Sequence, residues 1–403
     1  MTTSAPTSST PTLWEMLRTQ RRFSLQRTDG YLLMLSFGLA LFGWLMITSA
    51  SMDFAQQNMG SPFALMQRHG VYLALAVIGF TVTVQIPLAV WYRLGAPILL
   101  LGFVLLVLVL VPGIGREVNG SSRWINLGFI QFQPSELAKL AIILYVAGYL
   151  VRRQEEVRTS FSGFLKPLLV VAAMTVLLLA EPDFGAVVVV MTTIMGMMFL
   201  GGVRAGQFFV TVAVAIISAG LMAITQTYRV QRLMSFTNPW SEENVFGSGY
   251  QLTQALIAFG RGEWFGVGLG NSLQKLFYLP EAHTDFIVAI IAEELGLFGI
   301  LAMLGALTWL VVLIVRIGWQ ADQRGQSFGA FICFGIAMVF ALQIFINVGV
   351  NSGLLPTKGL TLPLVSYGGT SLLVSFAMIG LVARVATELG DDASISQGGQ
   401  RHD

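Results

Sequence analysis

Ten apolar blocks, most close to the length of a bilayer crossing, dictate what this chain can become. They are Tyr31–Ala50, Val71–Leu88, Leu94–Val111, Leu137–Val151, Pro167–Ala180, Ala186–Leu200, Phe208–Ile224, Leu295–Ile317, Phe328–Val348 and Leu362–Ala383. A bilayer core takes about 20 apolar residues per helical crossing, and these blocks qualify or come near it. Their residues run consecutively instead of striping one helical face, so a soluble amphipathic helix does not fit them. Only 11% of the 403 residues are charged, against roughly 25% in an ordinary soluble domain. A soluble fold of this size could not cover its surface with so few charges. The expectation is an all-α integral membrane protein, a polytopic bundle of about ten transmembrane helices. The two shorter blocks that flank Glu181-Pro182-Asp183 are the weakest of the set.

Orientation follows from where Lys and Arg fall. Arg18, Arg21, Arg22 and Arg27 precede the first block, and Arg152, Arg153, Arg158 and Lys166 follow the fourth. With Arg204, Arg316 and Arg324 they fall on one side, the cytoplasmic side by the positive-inside rule. An even number of crossings then leaves both termini in the cytoplasm. Residues 1–29 read as a Ser/Thr/Pro-rich, then basic tail, and 386–403 as a second tail. Between them lies a membrane domain at 30–385, with a long, partly helical extracytoplasmic loop at 226–284. Gln251–Phe259 has an amphipathic helical pattern inside that loop, and its aromatics suit a membrane interface. Cys333 is the only cysteine, so no intrachain disulfide forms. A first helix retained in the mature chain fits better than a cleaved signal peptide, whose apolar region spans about 7–15 residues. The net charge of +2 says little about partners, and no nucleic-acid partner is expected.

Ionisable groups at the edge of hydrocarbon are expensive and so draw the search for chemistry. Glu136 and Lys139 open the fourth block at i, i+3 spacing, within ion-pair reach. Pro134 and Ser135 before them suit a helix start, so a second reading has Glu136 serve the helix dipole while Lys139 snorkels outward. Asp285 lies in Pro280-Glu281-Ala282-His283-Thr284-Asp285-Phe286, just ahead of an apolar run. One reading makes Thr284 or Asp285 a helix N-cap. The other makes Asp285 a partly desolvated carboxylate with a raised pKa, beside His283, fit for general base work. On a continuous helix Glu293 would sit roughly 80° from Asp285 and Glu294 nearly opposite, so Glu293 is the better partner. The glycines from Gly260 to Gly270 match neither dinucleotide nor P-loop patterns and read as turns. Pro363 and Gly368-Gly369 would break helix at membrane depth, which is tolerated only inside protein or a watery cavity. Lys358 and Arg123 either clamp an anionic phosphate or serve as interfacial anchors.

Spacing alone goes no further, but the motifs are recognisable. Gly120-Ser121-Ser122-Arg123-Trp124-Ile125, Gln133-Pro134-Ser135-Glu136 and Glu181-Pro182-Asp183-Phe184-Gly185 resemble signatures of the SEDS family (shape, elongation, division and sporulation). Leu279–Phe286 and Pro356–Gly369, the latter with its Thr-Lys-Gly-Leu-Thr run, look like the division branch and not the elongation branch. The resemblance covers roughly Tyr31 to Arg384. It implies a peptidoglycan glycosyltransferase that polymerises lipid II at the division septum of the bacterial cytoplasmic membrane, releasing undecaprenyl pyrophosphate. It implies Asp285 as the catalytic acid residue, with Glu136 and Lys139 lining the same cavity. Arg123, His283, Thr284, Glu293, Lys358 and Ser366 are expected to contact substrate or support that contact. A class B penicillin-binding protein of the FtsI type, the divisome proteins FtsQ, FtsL and FtsB, and membrane lipids are the implied partners. No tightly bound cofactor is expected, and a divalent cation (Mg or Mn) is left open. A lipid II flippase and a non-catalytic scaffold are the rival readings.

Overall fold

The structure is a computed structural model, describing residues 27–118, 121–126, 128, 131–224, 235–357 and 359–399. Its long helices are α1 (Arg27–Met59), α2 (Ala64–Gln85), α3 (Leu88–Val109), α4 (Pro134–Arg152), α5 (Phe161–Ala180) and α6 (Phe184–Leu200). After them come α7 (Ala205–Ile224), the loop helix α8 (Tyr250–Gly262), α9 (Ile287–Gln323), α10 (Ser327–Asn351) and α11 (Gly369–Gly399). Eight described helices are long and apolar enough to cross a membrane; α6 and the stretch Ala205–Ser218 of α7 add two shorter ones. Each overlaps one of the ten apolar blocks, and the chain is a multi-pass membrane protein. The mostly buried helices α4 and α11 form its centre. Around them, α2 packs along α11, α3 along α4, and α9 against α10.

Two features depart from the sequence reading. The connection between α3 and α4 carries a small antiparallel sheet, β1 (Gly115–Val118), β2 (Ser121–Asn126) and β3 (Gln131–Phe132), in that order. Arg116 pairs with Trp124 and Ile125 with Phe132, with a bulge after Arg116. Runs this short, between glycines, leave too little alternation to read as strands. The second departure is at the other terminus. The expected tail from residue 386 is helical as far as Gly399, with Ala386, Thr387 and Leu389 buried. Glu388 holds this extension in place: it pairs with Arg384 at 2.7 Å and accepts from the backbone N–H of Leu88 at 3.0 Å. The proposed tail at 1–29 lies outside the described residues up to Arg27, where α1 begins.

The long connection is a docked element and not a slack linker. Helix α8 forms where the amphipathic pattern predicts it, and the chain after it inserts into a break in α9. Gly296 there has φ 69° and ψ −167°, outside helical space. A Cβ at Gly296 would lie 2.4 Å from the backbone nitrogen of Gly266, so only glycine fits. The break frees backbone groups on both sides, and the loop satisfies them. Val267 and Gly268 donate to the carbonyls of Glu293 and Glu294 at 2.9 and 3.0 Å. Leu297 and Phe298 donate to the carbonyls of Glu263 and Trp264 at 2.9 and 3.2 Å.

Side chains reinforce the seam. Glu293, with no exposed surface, accepts from Arg261 at 2.8 Å, from Leu273 N at 3.0 Å and from the hydroxyl of Ser272. Glu294, equally buried, takes Lys275 at 3.0 Å and Ser49 of α1 at 2.7 Å. Glu294→Ala would strand the buried Lys275 ammonium, a loss of about 3–5 kcal/mol for a broken buried pair. The expected outcome is a clearly lowered melting temperature in detergent with new protease cleavage between residues 263 and 280. Unchanged melting would show that the pair does not hold the loop.

Candidate active site

Asp285 stands at the end of the bundle where the loop docks. It is not a helix cap: α9 starts at Ile287 with Phe286 in the cap position and no side-chain cap bond. Its position is fixed through its main chain. The side-chain amides of Asn347 and Asn351, one turn apart on α10, both donate to the Asp285 carbonyl, at 3.0 and 2.9 Å. Asn351 also accepts from Ala289 N at 3.1 Å, and Asn347 donates to the carbonyl of Leu360 at 2.5 Å. The carboxylate is thereby left without a hydrogen bond to any described residue. Gly359 closes over it, with a hypothetical Cβ only 2.7 Å from Oδ2. Burial pushes the Asp285 carboxyl up to about 7; the negative charges of Glu281 and Asp183 add to the rise, and Arg123 opposes it.

Arg123 reaches this site from β2. Its Nε donates to the carbonyl of Glu181 at 3.0 Å and its Nη2 to that of Pro182 at 2.5 Å. Among the described residues no carboxylate lies within ion-pair distance of it. The turn it grips is tightly built: Asp183 caps α6 by accepting from Ala186 N at 3.2 Å and takes the Ser135 hydroxyl at 3.0 Å. Glu181, fully buried, has no partner on either carboxyl oxygen among the described residues. Burial pushes it up to about 8, Asp183 adding and Arg123 opposing. Glu136 and Lys139 are both buried and form an ion pair at 2.8 Å, so Lys139 does not snorkel.

The remaining expected residues divide. His283 packs its ring against Tyr367 and accepts that residue's backbone N–H at 3.0 Å. Burial lowers its pKa, with Glu281 opposing. Thr284 turns back to Glu281, donating to its carboxylate at 2.7 Å. The Ser366 hydroxyl accepts from Leu362 N at 2.8 Å and so braces the irregular segment before α11. That segment is surrounded by protein, as broken backbone at this depth requires. Glu293 does not join Asp285. Because α9 begins after Asp285, the 80° spacing drawn from a continuous helix does not apply, and Glu293 serves the loop seam. Lys358 lies outside the described residues. Sequence reasoning missed Asn347, Asn351 and Glu181. Gln343, Asn347 and Asn351 repeat every four residues through an otherwise apolar block, which puts them on one helical face. That spacing was the available signal.

The FtsW/RodA/SpoVE family of cell cycle proteins, the SEDS family expected above, matches residues 30–390. The chain belongs to that family. A relative from Alcanivorax borkumensis, named "Probable peptidoglycan glycosyltransferase FtsW", is 52% identical over 361 residues, 89% of this chain and 93% of that protein. One of the same name from Pseudomonas fluorescens is 52% identical over 357 residues, 88% of this chain and 87% of that protein. Among solved structures, a chain of a peptidoglycan synthase complex that coordinates polymerization and crosslinking superposes with TM-score 0.73 at 27% identity, covering 89% of this chain and 97% of its own. The rod shape determining protein RodA of Thermus thermophilus gives 0.65 at 26% identity, covering 88% and 95%.

In this SEDS chain the geometry makes Arg123 the described cation that holds the Asp285 pKa down. Arg123→Gln removes that attraction, so Asp285 should titrate above its position near 7. The measurement is the protonated carboxyl band in infrared difference spectra against Asp285→Asn across pH. An unmoved or lowered midpoint would mean that Arg123 does not act on this carboxylate.

Proposed function

We propose that this chain is a peptidoglycan glycosyltransferase whose general base is Asp285. The observation that carries the reading is a half-buried carboxylate, without a hydrogen bond to any described residue and with a pKa raised to about 7, facing a site whose guanidinium is not neutralised by any described carboxylate. A base near neutral pH is ionised often enough to act and basic enough to take a proton. Asp285 would take the proton of the 4-hydroxyl on the acceptor's N-acetylglucosamine. That oxygen attacks the anomeric carbon of the donor's N-acetylmuramic acid, forming a β-1,4 bond with inversion. The bond to undecaprenyl pyrophosphate breaks, and its electron pair leaves with the pyrophosphate.

The base accounts for about 10²–10⁴-fold of such a rate. Positioning and stabilisation of the leaving charge supply the rest. Arg123 suits that second task because its anchors are neutral carbonyls. Lys358 is a second cation for it on the sequence argument. Glu136 and Lys139, already paired with each other, shape the field and hold the start of α4. Among the described residues no three metal-ligating side chains gather into a site. No step here is routed through a metal.

In this reading the end carrying Asp285 faces outside the cytoplasmic membrane, both termini face the cytoplasm, and the work is done at the division septum. A class B penicillin-binding protein would cross-link the strands, with FtsQ, FtsL and FtsB controlling the pair. The synthase complex among the structural neighbours supports a transpeptidase partner. The flippase reading has less support: Asp285, Arg123, Glu181, Glu136, Lys139, Glu293 and Glu294 gather at one end instead of along a path.

The decisive assay is polymerisation of fluorescent lipid II by the purified chain with its cognate transpeptidase. Wild type should make long glycan and a well-folded Asp285→Asn variant none; equal products would end the base assignment. Because only the ionised carboxylate is a base, kcat/KM should rise with pH through about 7 and level above it. A rate flat from pH 5.5 to 8.5 (roughly the range that brackets such a titration) would contradict it. Gly359→Ala, which puts a methyl against Oδ2, should lower kcat at least about tenfold with little change in melting temperature.

A further inference from the structure

Two unlike groups of side chains adjoin the turn that carries Asp285. β2 and the turn at 181–183 present the Arg123 guanidinium. Rings gather around His283. His283, two residues before the base, lies 5.2 Å from Phe54 of α1 between ring centroids, with the planes 38° apart. Tyr367 stands 5.6 Å from His283, at 63°. Behind Tyr367 are His69 at 5.6 Å and Tyr72 at 6.4 Å, both buried.

The rings are positioned with respect to the base, and their accessibility is graded. The backbone bond from Tyr367 N to the His283 carbonyl ties the two front rings to the turn that carries Asp285. Arg68 lies near the Tyr367 hydroxyl. His69 and Tyr72 form a closed back wall. In front, His283 and Tyr367 are half-buried and Phe54 is 37% exposed. Neither ring nitrogen of His69 has a partner among the described residues, so hydrogen-bonding capacity is unspent beside the rings.

An interfacial anchor would be an isolated Trp or Tyr pointing to lipid. Here two imidazoles and a phenol face one another beside a general base. That suits a ligand with an apolar face and a polar rim. A pyranose ring has this shape: its C–H bonds, weakly positive, fit the negative face of an aromatic ring, while its hydroxyls and acetamido group project outward. We propose that Phe54, His283 and Tyr367 form a stacking platform that holds an N-acetylated hexosamine, the acceptor sugar, beside Asp285. The inference rests on the glycosyl transfer proposed above and adds a direction to it. The sugar to be deprotonated lies on the ring flank, and the donor with its anionic pyrophosphate lies on the Arg123 flank.

The test measures the lipid II concentration dependence of glycan synthesis by the full chain with its cognate transpeptidase in vesicles. Phe54 is exposed enough that Phe54→Ala should fold, which an unchanged melting temperature checks. Expected is about a tenfold rise in half-saturating lipid II, with the maximal rate within about twofold of wild type. Phe54→Trp should restore saturation, and Phe54→Leu should not. Saturation by Phe54→Ala equal to wild type overturns the platform and leaves the base assignment standing. Rescue by leucine as complete as by tryptophan also overturns it, reducing Phe54 to an apolar anchor in the lipid. Should Phe54→Ala melt early, Tyr367→Leu against Tyr367→Phe applies the same comparison to the next ring. A wild-type complex that makes no glycan removes the glycosyl-transfer reading itself, and the platform falls with it.

Discussion

Backbone polar groups at membrane depth have no water to turn to, and the arrangement around α9 follows from how that demand is met. Gly296 interrupts the helix, and the exposed carbonyls and N–H groups are taken up by residues 263–268 of the long connection. A helix broken in hydrocarbon without such partners would cost several kcal/mol per orphaned group. The break and the loop therefore need each other. Because the loop enters there, Arg261 and Lys275 meet Glu293 and Glu294, and Ser49 ties the same seam to α1. The first two turns of α9, and Asp285 just before them, are held in place by this seam on one side and by α10 on the other.

The buried carboxylates near this end are handled differently, Asp183 taking only neutral donors from Ser135 and Ala186. Glu293 and Glu294 are fully paired and serve structure. Glu136 is paired with Lys139, closing a charge inside the bundle. The carboxylates of Asp285 and Glu181 have no hydrogen-bond partner among the described residues and are pushed upward by burial. Unpaired groups in such settings are more often functional than structural, since a paired carboxylate already provides stability and an unpaired one gives stability away. Asp285 differs from Glu181 in being accessible, with amide donors on its carbonyl and none on its carboxylate.

Much of this was legible in the chain itself. Block length gave the spans, Pro134 the start of α4, and the amphipathic run at 251–259 the loop helix, because each rests on local periodicity or a single residue's stereochemistry. The motif around Asp285 could be singled out because a carboxylate at the end of an apolar run is costly. Where Glu293 points was not legible: the inference assumed one continuous helix through residue 285, and a helix start two residues later rotates the whole argument. The sheet at 115–132 escaped because strands of four, six and two residues carry no period of their own and are fixed by the α3–α4 geometry. The seam at Gly296 is a tertiary event. Nothing in Glu294-Leu295-Gly296-Leu297 announces that a segment some thirty positions earlier will complete its hydrogen bonds.

The way Arg123 is anchored has a consequence of its own. A guanidinium held by a carboxylate arrives at a site already discharged, because the pair looks neutral from a short distance away. One held by two peptide carbonyls is fixed equally well by dipoles and keeps its full charge. The planar fork is what allows this, since Nε and Nη2 reach the carbonyls of two successive residues at once. A lysine's single ammonium has no comparable planar pair of donors. The short sheet thus acts as a mount that presents an undiminished positive charge near Asp285, with its orientation set by the turn between α5 and α6.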